Sequence, residues 1–223
     1  MIRGGPAPGR PWLPAAVIVL TIPFAAPLGY LIVRNLSGGF FDALAGSDAL
    51  GPLWRTLALS LAVSAAAALI GSLAAWLVAR TDLPGRRAFA VLLVLPLAIP
   101  SFIGAFAFIA AFSPGGLIPE ITGLPGRSVS GFAGAFAVLT LLTYPFVYLL
   151  AAARFRQIPA SLEDAARIHG GGPLALVRQV LIPLAGPSVL AGALLVFLYV
   201  ASDFGAVVLL RYDTITLTVF SNR

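Results

Sequence analysis

The chain has 223 residues, of which 60% are hydrophobic and 10% are charged, and it contains no cysteine. Globular chains carry about a quarter charged residues, so this composition excludes a soluble domain and favours an integral membrane protein. Without cysteine, the sequence offers no disulfide, thiolate metal site or cysteine nucleophile. The net charge of +6 would suit a nucleic-acid binder, but membrane proteins also collect arginine at their cytoplasmic edges.

The first part of the chain predicts a tail and two transmembrane spans. Residues 1–12 predict a short cytoplasmic tail, and residues 13–223 a transmembrane domain. The apolar run Leu13–Val33 can cross roughly 30 Å of hydrocarbon and is too long for a signal peptide. After a polar loop, Arg34–Arg55, the run Leu57–Ala79 predicts the second span, whose many small residues permit close helix contact.

The third predicted span, Ala88–Phe112, contains Pro96 and Pro100. Each proline removes a backbone donor and clashes with the preceding turn, so this span must bend or break. A simple kink and a broken helix that lines a cavity both remain open. A loop, Ser113–Ser130, is expected to follow.

Two further apolar runs, Gly131–Ala153 and Ser188–Leu210, predict the fourth and fifth spans. Asp203 is the one acid inside a predicted span, and we expect it near the outer edge of the hydrocarbon. Because a charge there is costly, it should face the bundle interior or a watery path. A structural pair with Arg211, or a hydrogen bond to Tyr199, is equally compatible with the sequence.

Between these spans lies a polar segment, Ser161–Pro183. Ser161 and Asp164 predict a capped helix start, and Gly170 predicts its end. A second short helix, about Leu174–Leu181, should end at Pro183. The segment therefore predicts two short helices at a sharp corner beside the membrane.

The spacing of this segment resembles the EAA loop of permease subunits of bacterial ABC importers. That loop reads Glu-Ala-Ala, three residues, Gly, nine residues, Ile, one residue, Leu-Pro, and here Asp164 replaces the glutamate. In the family, the loop docks into a cleft on the cytoplasmic ATPase subunit. The resemblance places the coupling loop within residues 154–187, with these ATPase-coupling residues: Glu163, Asp164, Ala165, Ala166, Gly170, Val180, Ile182 and Pro183.

The resemblance implies an all-α integral membrane protein with the type I ABC importer permease fold, about five transmembrane helices and a cytoplasmic coupling loop. The segment Ser202–Thr214 is similar to the ferric-iron branch of these permeases, which implies ferric iron as the substrate. Permeases for thiamine, phosphonate and polyamine are near relatives and remain alternatives. The candidate residues of the translocation path are Pro96, Pro100, Tyr199, Asp203 and Phe204.

The resemblance also implies partners and a location. The partners would be an ABC ATPase subunit, a second permease half or domain, and a periplasmic or lipid-anchored substrate-binding protein, assembled in the bacterial inner membrane. ATP would be bound by the ATPase subunit, so no cofactor, metal or catalytic residue is expected in this chain, and nucleic acid is not an expected partner.

Ferric permeases of this type usually carry two halves of about six spans, whereas this sequence has one loop and five predicted spans. We therefore expect an N-terminal half or a truncated product, and a half that does not transport is an alternative. Without a sixth span, the small-residue faces at Ala191–Ala193 and Gly205–Ala206 should remain exposed to lipid.

The arginines predict a cytoplasmic N-terminus, because more of them fall on the side shared with the polar segment. That side holds Arg3, Arg10, Arg80, Arg86, Arg87, Arg154, Arg156, Arg167 and Arg178. The other side holds Arg34, Arg55, Arg127, Arg211 and Arg223.

The sequence also excludes a membrane enzyme, because it lacks the residues that such an enzyme needs. An intramembrane aspartyl protease needs two acids, and a serine hydrolase needs a base beside its serine. The sequence offers only Asp203 within a span and His169, its single histidine, in the polar segment. We expect His169 to contact the partner or to cap the helix end near Gly170.

Overall fold

The computed structural model describes residues 19, 21–23, 25–26, 29–30, 33, 50–159 and 181–217. The chain divides into two units, Met1–Asp48 and Ala49–Arg223. In the first unit the described residues are helical, which agrees with the predicted first span at those positions.

The described part of the second unit is built from helices, whose bounds are as follows. They are α1 Leu50–Arg80, α2 Arg86–Leu92, a 3-10 helix Leu95–Ala98, α3 Ser101–Phe112, α4 Leu117–Thr122, α5 Gly131–Gln157, α6 Ile182–Ser202 and α7 Gly205–Leu209. Within the described residues, four segments are long and apolar enough to cross a membrane: Leu50–Arg80, Ser101–Thr122, Gly131–Gln157 and Ile182–Ser202.

Helices α1 and α5 run parallel, and α6 runs against them. At one end the Arg80 side chain donates to the backbone oxygen of Ile158, and the Arg154 side chain donates to that of Leu184. We call this end the loop end, because residues 160–180 connect α5 and α6 there. At the opposite end the backbone N–H of Gly131 donates to the oxygen of Leu210 at 2.6 Å.

Helix α5 is the centre of the bundle. In its most apolar stretch 67% of the residues are buried, against 6% for Ser101–Thr122. Glycines bring two neighbours close to it. A Cβ at Gly71 of α1 would lie 2.8 Å from the Tyr144 backbone oxygen, and one at Gly192 of α6 would lie 2.7 Å from the Val147 Cα. Small residues thus let both backbones approach α5, as helix packing in lipid requires.

The prediction that the small-residue faces remain exposed to lipid was wrong at their central positions. Gly192 is buried against Val147 of α5, and Ala206 is buried as well. A Cβ at Gly205 would lie 3.0 Å from the Phe102 Cβ. These residues contact helices within the chain, so they need no sixth span to cover them.

The third predicted span is broken, as its prolines indicated. It divides into α2, the 3-10 helix and α3, and Ile99 is extended between the last two. The segment here that is long and apolar enough to cross a membrane is Ser101–Thr122, which begins and ends later than the predicted bounds Ala88–Phe112. The predicted loop Ser113–Ser130 contains α4, which continues this segment.

Two other spans begin earlier than predicted. Helix α1 begins at Leu50, inside the predicted loop Arg34–Arg55. Helix α6 begins at Ile182 and includes Pro183, which was expected to end the preceding helix. Proline fits the first turn of a helix, where its missing N–H has no intrahelical partner to lose.

The fifth predicted span ends earlier than expected, because α6 stops at Ser202. Asp203 is extended, with ψ at 133°, and α7 is a separate short helix. Asp203 therefore lies at a break between two helices.

We expect Gly192→Ala to lower the stability of the bundle by about 1–3 kcal/mol, because its new methyl group meets the Val147 backbone. Gly186→Ala is the matched control on the same helix, since a Cβ there meets nothing within 4 Å. The control should be neutral or slightly stabilising, because alanine favours a helix over glycine. Thermal melting of the purified chain in detergent measures both, and equal shifts in Tm would contradict the close contact.

Candidate functional site

Two breaks in the helices contact each other. The first lies between the 3-10 helix and α3, where Pro100 precedes Ser101. The second lies between α6 and α7 and is followed by Gly205. A Cβ at Gly205 would lie 3.2 Å from the Ser101 Oγ, so the two breaks are in direct contact. The structure thus brings the residue after Pro100 close to the residue after Phe204, so that three predicted path residues, Pro100, Asp203 and Phe204, adjoin this contact in the sequence.

Asp203 is buried, with 8% of its surface exposed, and it bonds to backbone groups. Its Oδ1 accepts from the N–H of Ala206 at 2.9 Å, which satisfies one of the free donors at the start of α7. Its own backbone oxygen accepts from the Thr216 hydroxyl at 3.0 Å. Among the described residues the carboxylate forms no ion pair with Arg211. Two side chains, those of Asp203 and Thr216, therefore hold the break through bonds to backbone groups.

The other two path candidates, Tyr199 and Pro96, each precede one of the two breaks in the sequence. Tyr199 is one turn before the break, and its ring centroid is 5.9 Å from that of Phe146. Pro96 lies in the 3-10 helix and is half-buried. Phe204 has 37% of its surface exposed. The contact between Ser101 and Gly205 could not be predicted from the sequence, because it joins residues that are distant along the chain.

At the opposite end of the bundle, residues after α7 bind the start of α1. Arg55 pairs with Asp213 at 3.3 Å, and both side chains are exposed. The Tyr212 hydroxyl donates to the Arg55 backbone oxygen at 3.3 Å, and the Ile215 N–H donates to the Thr56 hydroxyl at 3.0 Å. Burial raises the pKa of the Tyr212 phenol, although the charge of Arg55 acts in the other direction. The phenol therefore stays protonated and able to donate near neutral pH.

At the loop end, two arginines join helices through backbone oxygens. The Arg154 Nε donates to Leu184 at 2.8 Å, and the Arg80 Nη2 donates to Ile158 at 2.5 Å. These charge-assisted bonds tie α5 to the start of α6 and to the end of α1. The three helices are therefore joined directly at the loop end. Both arginines could be singled out from the sequence because they flank spans, but their partners could not.

The predicted coupling residues are placed only in part. Ile182 and Pro183 are exposed in the first turn of α6. The others, together with His169, lie outside the described residues, and their roles stay predictions: Glu163, Asp164, Ala165, Ala166, Gly170 and Val180. In residues 50–159 and 181–217, no group of three or more His, Asp or Glu side chains could hold a metal ion.

Comparison with known proteins places this arrangement in a family. Residues 67–214 match the family described as binding-protein-dependent transport system inner membrane component. The chain is 29% identical, over 96% of its length, to the Fe(3+)-transport system permease protein FbpB 2 of Haemophilus influenzae, and it spans 40% of that protein. It is 30% identical, over 90% of its length, to a probable molybdenum ABC transporter permease protein of Haloferax volcanii, of which it covers 74%.

A third relative is a putative 2-aminoethylphosphonate transport system permease protein, PhnU, of Salmonella typhimurium. It is 27% identical over 94% of this chain and 80% of its own length. Among solved structures, inward-facing conformations of the MetNI methionine ABC transporter superpose with a TM-score of 0.54 at 23% identity, covering 69% of this chain and 70% of the other. This likeness shows the fold and confirms the expected ABC importer permease architecture.

The family match includes α5, both helix breaks and the segment that resembles an EAA loop. It extends over more than half of the chain and confirms the resemblance seen in the sequence. The chain therefore belongs to the family of inner membrane components of binding-protein-dependent transport systems.

Proposed function

We propose that the chain is the transmembrane permease subunit of an ABC importer that carries ferric iron across the inner membrane. The proposal that the substrate is ferric iron rests on the similarity to the Haemophilus Fe(3+)-transport permease, which extends over 96% of this chain. The segment Ser202–Thr214 supports it, because the resemblance to ferric permeases is concentrated there. ATP would be bound and hydrolysed by a separate ATPase subunit.

The proposed coupling follows from the contacts at the loop end. An ATPase that docks on the segment between α5 and α6 would move the helices to which that segment is joined. The bonds from Arg154 to Leu184 and from Arg80 to Ile158 make α1, α5 and α6 move together. Closure of two ATPase subunits would then draw two such bundles together at the loop end and open them at the other, as alternating access requires.

The proposed translocation path passes the contact between the two breaks. Non-helical backbone at membrane depth is tolerated where it is buried in protein or lines a cavity. Asp203 supplies a carboxylate there, and Phe204 and Tyr199 are partly exposed beside it. A single carboxylate is a weak site for a cation, which suits a path that an ion must also leave.

The proposed assembly contains a second permease half, two ATPase subunits, and a periplasmic or lipid-anchored binding protein. One bundle with one coupling segment can engage one ATPase, whereas alternating access needs two bundles moving against each other. We also propose a cytoplasmic N-terminus. Arg80 and Arg154 at the loop end support it, since the positive-inside rule favours the cytoplasmic side for the end that carries more arginines.

Other substrates have support from relatives at similar identity. The molybdenum permease is 30% identical, and the 2-aminoethylphosphonate permease is 27% identical. The second favours a phosphonate, which is one of the alternatives drawn from the sequence, beside thiamine and polyamine. A chain that keeps the fold without transporting is the remaining alternative.

Replacement of Arg154 tests the proposed coupling. We expect Arg154→Gln to reduce ATP-driven uptake several-fold while the ATPase still binds and hydrolyses ATP, because α5 and α6 lose their connection. Uptake and ATP hydrolysis are measured in liposomes containing the chain, its second half, the ATPase and the binding protein. Arg127→Gln is the control, since it changes an exposed arginine far from this contact. Uptake by Arg154→Gln equal to that of the control would contradict the coupling role.

Replacement of Asp203 separates a path role from a purely structural one. Asp203→Asn keeps a side-chain oxygen for the Ala206 N–H, so we expect Tm to change little. Loss of the charge should nevertheless reduce uptake. Asp203→Ala also removes the acceptor and should cost about 1 kcal/mol of stability, as other lost caps do. Full uptake by Asp203→Asn would show that the carboxylate serves only to cap α7.

Competition for uptake tests the substrate. In the same liposomes, accumulation of labelled iron should depend on ATP and on the binding protein. Excess molybdate, 2-aminoethylphosphonate, thiamine or a polyamine should leave it unchanged. ATP-driven accumulation of one of these compounds, with none of iron, would replace the substrate but keep the permease function.

A further inference from the structure

A basic cavity lies at the loop end of the bundle, outside the proposed path. Its volume is about 300 Å³. It lies where α1 ends, α2 begins and the last turn of α5 passes, and it is lined by Val78, Ala79, Arg86, Arg87, Ala90 and Arg156. The coupling contacts described above do not use its three arginines.

No acidic side chain among the described residues pairs with the arginines of this cavity. Its lining contains no acidic residue, and within the described residues Arg86, Arg87 and Arg156 form no ion pair. Asp82 lines a neighbouring concavity together with Arg86 and Arg87, but it bonds to neither of them. Three guanidinium groups around one cavity suit an anion, and phosphate oxygens match the paired N–H donors of arginine especially well.

An apolar groove begins at the edge of this cavity. The groove shares Ala90 with it, has a volume of about 530 Å³, and is lined by Ala90, Val91, Val94, Leu95, Leu97 and Ala98. Its residues belong to α2, the 3-10 helix and the turn between them, neither of which has a buried residue. A charged cavity that opens into an apolar groove matches a molecule with an anionic head and a hydrocarbon tail.

The position of the cavity agrees with the same chemistry. The candidate membrane span Leu50–Arg80 ends at Arg80, and Arg86 and Arg87 follow after a tight turn. Arginines just beyond the end of a span are typical of the headgroup level, and the groove runs from there along the broken third span. A free phosphate or an acidic protein side chain would fill the cavity but would leave the groove unexplained.

We propose that Arg86, Arg87 and Arg156 bind the phosphate of an anionic glycerophospholipid whose acyl chain lies in the groove from Ala90 to Ala98. The bound lipid covers a stretch of the third span that no other described helix buries. It thereby supports the non-helical backbone at Ile99, on which the contact with the second break depends. This site is independent of the transported substrate and of the orientation of the chain.

The test measures lipid binding to the purified full-length chain in a neutral detergent, by native mass spectrometry and thermal melting. Dioleoyl phosphatidylglycerol should bind and raise Tm, whereas dioleoyl phosphatidylcholine, inorganic phosphate and glycerol phosphate should have much smaller effects. Each of Arg86→Gln, Arg87→Gln and Arg156→Gln should weaken phosphatidylglycerol binding about fivefold, as expected for one arginine near an anionic headgroup. Arg127→Gln and Arg211→Gln are controls that remove the same charge elsewhere.

Several results would overturn the proposal. Equal effects of inorganic phosphate would indicate a site for free phosphate. Equal weakening by the control variants would indicate general attraction to a positive protein. Unchanged lipid binding in the three variants, with loss of ATPase binding, would make the cavity a protein docking site. Because the single variants remove only exposed side chains, each should still fold, and the Tm measured without lipid verifies this.

Discussion

In a bilayer, every backbone N–H and C=O must find a partner within the protein, because hydrocarbon offers none. Among the helix interruptions in the described residues, the two that contact each other both bond backbone groups locally. At the first break the Ile99 N–H donates to Pro96, and the Gly104 N–H donates to Pro100. At the second, the Asp203 carboxylate accepts from Ala206, and Thr216 donates to the Asp203 oxygen. Irregular backbone is thus held in place at the point where the two breaks touch.

The close packing around α5 limits how the helices of the bundle can move relative to one another. Gly71 and Gly192 bring α1 and α6 against the same stretch of α5, near Val147. A rotation of any one helix would therefore create clashes with the other two, since packed cores have little free volume. Arginine bonds at the loop end and the Arg55–Asp213 pair at the opposite end connect the same helices. Motion is more easily concentrated in the broken third span, which has few buried residues.

Much of this architecture could be predicted from hydropathy and proline positions, because these are local properties of the chain. The spans around α1 and α5 and the interruption at Pro96 and Pro100 follow from such patterns, whereas the family was indicated by the resemblance of the polar segment to the EAA loop. The starts of α1 and α6 were misplaced, because Gly51, Pro52 and Pro183 look like loop residues yet fit the first turn of a helix. Composition also could not show that Asp203 ends a helix, since the acceptor role depends on where the Ala206 amide points.

Contacts between distant segments were beyond the reach of the sequence. Small residues at Gly192 and Gly205 indicate close approach but not to which helix, and the expectation of lipid exposure depended on the absence of a sixth predicted span. Likewise, the flanking arginines indicated a membrane edge. Which of them bond to backbone oxygens and which line the cavity depends on how α1, α2 and α5 come together. The coupling residues themselves lie largely outside the described part of the chain, and their role continues to depend on the motif.

The bond between Arg154 and Leu184 also affects the free-energy cost of rearranging or lengthening the segment between them. Because Arg154 bonds directly to Leu184, the helix ends on either side of the segment are joined by a contact that the segment itself does not supply. The entropy of closing a loop grows only with the logarithm of its length, about 0.6 kcal/mol for each doubling. We therefore expect insertions there to cost the membrane helices little stability. A permease built this way can diverge in the surface it offers to its ATPase without refitting the bundle that forms the path.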